Sequence, residues 1–102
     1  NRRKKEMVKK LSGQEIDNFL KKHQKWQLVD GREAIENKYV FKDFKAAFSF
    51  MTQMAMYAEQ MNHHPEWFNV YNQLHVVLTT PDCDGLSEKD LKMAQIMDEL
   101  GA

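Results

Sequence analysis

The stretch "EQMNHHPEWF", Glu59 to Phe68, is where the chain changes period. A long helical pattern runs up to it, and an alternating one leads away. Pro65 pushes the residue before it out of the helical region, so the helix ends by there. His63 and His64 therefore stand at a helix-to-strand junction. Neighbouring side chains of a regular helix or strand do not share a direction, so the two rings are aimed apart. Two readings of this corner are open. One is packing at a loop; the other is a proton-handling site, because imidazole titrates near neutral pH.

Working upstream, the helix runs from Asp43, an N-cap by residue type, to about Met61. Phe44, Ala47, Phe48, Met51, Ala55 and Ala58 form one apolar stripe, and Phe50, Met54, Tyr57 and Met61 form a second. At about 100° per residue the two stripes span roughly 200° of the helix. One sheet face needs about half of that. The second stripe is expected to be covered by another subunit, giving a homo-dimer or tetramer through Phe50, Met54, Tyr57 and Met61. Cover by the other helices of the same chain is the alternative.

Two further helices are marked by capping signals. In "LSGQEIDNFLKKH" Ser12 and Glu15 make a capping box, and Ile16, Phe19, Leu20 and His23 follow with helical spacing. In "LSEKDLKMAQIMDEL" Ser87 and Asp90 repeat the arrangement with a shorter acid. Met93, Ile96, Met97 and Leu100 form the buried stripe, and Gly101 ends it. "KWQLVDGREAIENKYVF" reads as a hairpin turned at Asp30-Gly31, with Ile35, Asn37, Tyr39 and Phe41 on one face. "EWFNVYNQLHVVLTT" reads as a second pair, with Phe68 and Val70 leading in, a turn at Asn72-Gln73, and Val76 and Leu78 continuing the face. The fold class is α+β. The order is α-ββ-α-ββ-α, with a four-stranded antiparallel sheet covered on one face by helices.

With 102 residues, 1–102 is expected to be a single domain. An apolar fraction of 42% suits a folded globule. A formal net charge of +0 offers no field for nucleic acid or an anionic membrane, so neither is expected as a direct partner. The basic "NRRKK" start reads as a solvated terminus, with residues 1–10 flexible. A chain that does not begin with Met is expected to be processed or trimmed. The single cysteine, Cys83, excludes an intramolecular disulfide and suits a reducing compartment. No apolar run approaches a membrane span. A cytoplasmic location is expected, with the nucleus as an additional one.

At the histidine corner, Glu59 lies one helical turn before His63 and is placed to orient it. Trp67 offers a flat apolar wall. The packing reading stays open, since histidines at a helix end also satisfy carbonyls and the dipole. A zinc site is disfavoured because adjacent histidines do not chelate one ion and no third and fourth ligands follow. Nothing in the spacing ties Cys83 to a histidine as a nucleophile.

"AEQMNHHPEWFNVYNQLHVVLTTPDCDGLSEKD", Ala58 to Asp90, resembles the signature region of the pterin-4a-carbinolamine dehydratases. The core "HHPEWFNVYN" is long and specific, and the "F-x-x-A-F-x-F-M" helix also fits. The resemblance implies dimers and tetramers with the long helix in a four-helix bundle. It implies dehydration of 4a-hydroxytetrahydrobiopterin to quinonoid dihydropterin, with no metal or organic cofactor. It also implies a second role for the family, as a dimerisation cofactor of a homeodomain transcription factor. Carried over by residue, His63 and His64 are the active-site pair and Glu59 is the acid behind them. Asn62, Trp67 and the segment Thr79, Thr80, Pro81 and Asp82 contact the pterin. Asp90 supports a histidine. Two positions depart from the pattern. Asn62 stands where the family usually has Asp. Pro81 stands where the family has a third histidine, and His75 does not replace it, being six residues away, or roughly 20 Å along a strand. Asp90 is then expected to keep only a capping role. The resemblance thus leaves two readings: a dehydratase working through His63 and His64, and a dimerisation module with a weakened site.

Overall fold

The computed structural model describes residues 8–101. The basic stretch at residues 1–5 lies outside them. Of the segment read as flexible, residues 1–10, Lys10 is tied to Glu33 by a 3.3 Å ion pair, and just past it Leu11 N–H donates to Leu86 O at 2.8 Å.

The elements are α1 (Gly13–Lys22), β1 (Gln27–Leu28), β2 (Ile35–Val40), α2 (Phe44–Met61), β3 (Glu66–Val70), β4 (Gln73–Leu78), a short 3-10 turn (Pro81–Cys83) and α3 (Glu88–Gly101). The sheet order is β1-β2-β4-β3 and every pairing is antiparallel. This is the α-ββ-α-ββ-α arrangement read from the sequence. The N-termini form where the capping residues stand. Ser12 Oγ accepts from Glu15 N–H while Glu15 accepts from Ser12 N–H. Asp43 accepts from Ala46 N–H at 2.8 Å. Asp90 Oδ2 accepts from Ser87 N–H at 3.0 Å.

The core lies between one sheet face and the helices. Ile35 and Tyr39 from β2, and Leu74, Val76 and Leu78 from β4, meet Phe50 and Met54 of α2 and Met93 and Met97 of α3. Its rim is polar. Asp98 accepts from Tyr39 Oη at 2.6 Å and from Trp26 Nε1 at 3.1 Å, with His23 Nδ1 3.9 Å away. Burial first, then the Asp98 bond, drives the Tyr39 phenol well above its usual range.

Four readings are corrected. First, Phe50 and Met54 are not at an interface: they are 3% and 0% exposed, inside the protomer. The face of α2 on the core is Ala47, Phe50, Met54 and Ala58. These positions combine members of both stripes. The exposed large apolar residues of α2 are Phe44, Phe48, Met56 and Tyr57. Second, Phe68 and Val70 face away from the core, at 68% and 55% exposed, while Trp67 and Asn69 are half-buried. A one-residue change of register exchanges the faces of a strand. Third, the β3–β4 turn is Tyr71-Asn72, since Val70 pairs with Gln73. Tyr71 takes φ 51°, and Asn69 Nδ2 supports the turn by donating to Tyr71 O and Gln73 O. Fourth, Gly101 belongs to α3 and is there for close approach: a Cβ would stand 3.1 Å from Tyr39 and 3.2 Å from Phe50. On the other flank of α3, Leu100 is partly exposed rather than buried.

Placing Phe50 in the core sets the result of truncating it. Its ring meets Phe41 and Tyr39 at 5.1 and 5.3 Å. Phe50→Ala should lower unfolding free energy by about 3–5 kcal/mol in urea titrations. A loss under about 1 kcal/mol would contradict the core placement.

Candidate active site

The site is built where α2 stops. Asn62 takes the left-handed conformation, φ 52° and ψ 47°. Its N–H reaches Glu59 O, and His63 N–H reaches back to Ala58 O at 3.0 Å. These two bonds are the Schellman pattern, which satisfies the last carbonyls of a helix. Asparagine tolerates this conformation better than most residues. Asn62 thus serves the backbone.

The reversal sends the two histidines apart. His63 turns inward and is buried, with Nε2 2.6 Å from Asp90 Oδ1. His64 turns outward, with Nε2 2.7 Å from Glu59 Oε2. Both partners of that second pair are exposed. Two expectations are corrected here. Glu59 holds His64, because the chain reversal carries His63 away from the helix surface. Asp90 does more than cap α3: it is the partner of His63.

Asp90 is fully buried, and its bonds form one directed chain. Lys89 N–H donates to Ser87 Oγ at 3.2 Å. Ser87 Oγ and Thr80 Oγ1 are 2.7 Å apart, and Thr80 donates to Asp90 Oδ2 at 2.6 Å. Thr80's hydrogen is used on Asp90, so Ser87 must donate to Thr80. Asp90 Oδ2 also takes Ser87 N–H, so Oδ1 is left to accept from His63 Nε2–H. That leaves His63 Nδ1 as the nitrogen open to a ligand.

The segment after β4 is held shut. Thr80 N–H donates to Gly85 O at 2.7 Å, and Thr79 Oγ1 donates to Glu33 O at 3.0 Å. Pro81 starts the 3-10 turn, where its missing N–H breaks no bond. Asp82 is exposed and Trp67 is half-buried against the core. Thr79, Pro81 and Gly85 line a cleft of about 330 Å³ together with Arg32 and Glu66. The structure therefore joins His63, Asp90 and Thr80 directly, and sets Thr79 and Pro81 on the neighbouring cleft. Cys83 Sγ donates to Thr80 O and Leu86 O, and burial raises its thiol. Its environment is not that of a nucleophile. His75 pairs with Glu36 at 2.7 Å on the face of the sheet away from the helices, which holds Glu36 below the usual carboxylate range. Among the described residues no three His, Cys, Asp or Glu side chains gather as a metal site, and no helix is long and apolar enough to cross a membrane.

Sequence reading missed Arg32 and Glu66 on the cleft and the hydroxyl role of Ser87. Glu66 lies within the opening stretch but was hidden by the histidines. Arg32 had no local signal, since its partner is 34 residues away.

Residues 9–100 match the family model for pterin 4 alpha carbinolamine dehydratase. The chain belongs to that family. A Burkholderia pseudomallei protein provisionally named pterin-4-alpha-carbinolamine dehydratase is 48% identical over 95 residues, covering 93% of this chain and 94% of the relative. A Burkholderia multivorans protein of the same provisional name is also 48% identical, over 96 residues, with 94% of each chain covered. The crystal structure of a transcriptional coactivator/pterin dehydratase from Brucella melitensis superposes with a TM-score of 0.89 at 47% identity, covering 92% of this chain and 100% of that one. The dehydratase-family sheet and helices are thus the α+β arrangement described above.

The hydroxyl chain carries a stability consequence. Thr80→Val keeps shape but removes the donor to Asp90 and the acceptor of Ser87. An unsatisfied buried polar group costs about 1–3 kcal/mol, and urea unfolding of Thr80→Val should show a loss of that size. Unchanged stability would mean that Thr80 does not hold Asp90.

Proposed function

We propose that this chain dehydrates a 4a-hydroxytetrahydropterin, such as 4a-hydroxytetrahydrobiopterin, to the quinonoid dihydropterin. The observation that carries the reading is the adjacent histidine pair with each ring held by its own carboxylate, His63 on Asp90 and His64 on Glu59. In the reaction the C4a–O bond breaks and the hydroxyl leaves as water after receiving a proton. The N5–H proton is then lost to a base, and the N5 electron pair closes the N5–C4a double bond. One proton is given and one is taken. Imidazole can do both near neutral pH without a metal or organic cofactor. Family membership supports the substrate class, and the dehydratase names of the relatives support the reaction.

Pro81 supplies neither proton donor nor acceptor. The proton work then falls on His63 and His64. Loss of one acid/base group typically lowers rate by about 10² to 10⁴-fold. In stopped flow on freshly made carbinolamine the parent should exceed the buffer rate, His64→Ala should fall by about that factor, and Pro81→His should gain. A parent no faster than buffer would remove the dehydratase reading.

A second reading is a dimerisation module for a homeodomain transcription factor, with homo-dimers or tetramers formed through α2. The coactivator part of the Brucella melitensis protein's name supports it, as does the apolar row left exposed on α2. Phe44 and Phe48 meet along this row with tilted rings, centroids 5.7 Å apart. Phe48→Asp should lower the sedimentation coefficient of an assembled parent to that of the protomer, with the fold intact by circular dichroism. An unchanged assembly would remove this surface from the interface.

A further inference from the structure

The cleft beside Pro81 has a wall that the histidine chemistry leaves unused. Glu66 opens β3, two residues past His64. Arg32 stands on the loop between β1 and β2. Arg32 Nη1 meets Glu66 Oε1 at 2.9 Å, and Nη2 meets Oε2 at 3.0 Å. This is a two-pronged fork, the strongest pattern a guanidinium and a carboxylate make. Its arginine bonds hold Glu66 below the usual carboxylate range, so its oxygens are acceptors at neutral pH. Yet both side chains are about half exposed, at 47% and 53%. Exposed ion pairs contribute little to stability. A ligand offering the same pair of hydrogens can therefore replace Arg32 on Glu66 at little loss.

The pyrimidine edge of a pterin is such a ligand. Its 2-amino group and N3–H form part of an acylguanidine, two parallel N–H donors with the spacing of an arginine fork. The cleft holds about 330 Å³, within the range of about 300–1,000 Å³ that suits small-molecule sites. It is also lined by Pro81, the position at which the family resemblance places pterin contact. Resting on the dehydratase reading, we infer that Glu66 is a specificity-determining residue: it accepts the 2-amino and N3 hydrogens of the pterin, and Arg32 competes for the same fork. Arg32 thus stands on Glu66 where the ligand edge would stand.

This assignment separates the two partners of one ion pair. If the fork only staples the hairpin loop to β3, removing either partner has the same effect. If Glu66 reads the pterin, only its loss weakens binding. In steady-state dehydration, Glu66→Gln should raise KM by about tenfold to a hundredfold with kcat within about threefold, the signature of lost uniform binding. Arg32→Leu should leave KM unchanged or lower it. Fluorescence titration with 6,7-dimethylpterin and 6,7-dimethyllumazine, whose 2-position is a carbonyl, gives a second readout. The parent should prefer the pterin. Glu66→Gln should lose or reverse that preference, because an amide offers one acceptor to N3–H and one donor to the carbonyl. Equal KM increases in both variants, or an unchanged Glu66→Gln, would overturn the assignment. So would a parent that dehydrates carbinolamine but binds the two rings equally, and in that case the dehydratase reading stands. A parent that neither exceeds the buffer rate nor binds the pterin overturns both.

Discussion

A carboxylate that is fully buried cannot be left without partners, and Asp90 draws the site together by that requirement. Its acceptors are filled by His63, Thr80 and the backbone of Ser87. These come from the end of α2, the end of β4 and the start of α3. One side chain therefore fixes three chain ends that are far apart in sequence. Withdrawing any partner exposes the others to the same desolvation penalty, so the geometry of His63 is set by more bonds than it needs. Under the dehydratase proposal that redundancy serves the chemistry, since the free nitrogen must stay aimed while the ring's charge changes.

The backbone prepares what Asp90 completes. His63 can reach inward only because Asn62 reverses the chain in the left-handed region, and Pro65 then commits the following residues to extended geometry. Asparagine at 62 keeps that conformation while carrying no charge. The same logic divides the pair by environment. His63 is held dry by a buried acid, and His64 is held wet by an exposed one. Two residues adjacent in sequence thus meet different dielectric surroundings.

How much of this was legible follows from how local each signal is. The capping residues of α1 and α3, the Asp43 cap and the Asp30-Gly31 turn are written within a few residues, and each stands where the sequence put it, while the second hairpin turns one residue earlier than read, at Tyr71-Asn72. The stripe that α2 buries was not legible. Helical period shows that both stripes are apolar, but only the sheet chooses between them. It took Phe50 and Met54 with Ala47 and Ala58, where small residues admit close approach. The faces of β3 were ambiguous for a similar reason: Trp67 and Phe68 are both large and apolar, and pairing with β4 decides. The place of the histidines at a helix-to-strand corner was legible through the proline. Their two acids were named as well, but which acid serves which ring was not legible. Glu59 is a helical turn from His63 in sequence yet serves His64, and Asp90 reaches His63 across 27 residues.

Pro81 gains a physical meaning from this framework. It stands beside Thr80, whose hydroxyl is part of the chain that holds Asp90. At the first position of the 3-10 turn a proline breaks no hydrogen bond and fixes its own φ. It also restrains the backbone of the residue before it, which is Thr80. The Thr80–Gly85 bridge and the Asp84 N–H bond to Pro81 O close the same short loop. Where the resemblance implies a third histidine, this chain carries a conformational restraint on the residue that orients Asp90. Pro81 thus acts on this corner through the backbone of Thr80, and Thr80 acts through Asp90 on His63.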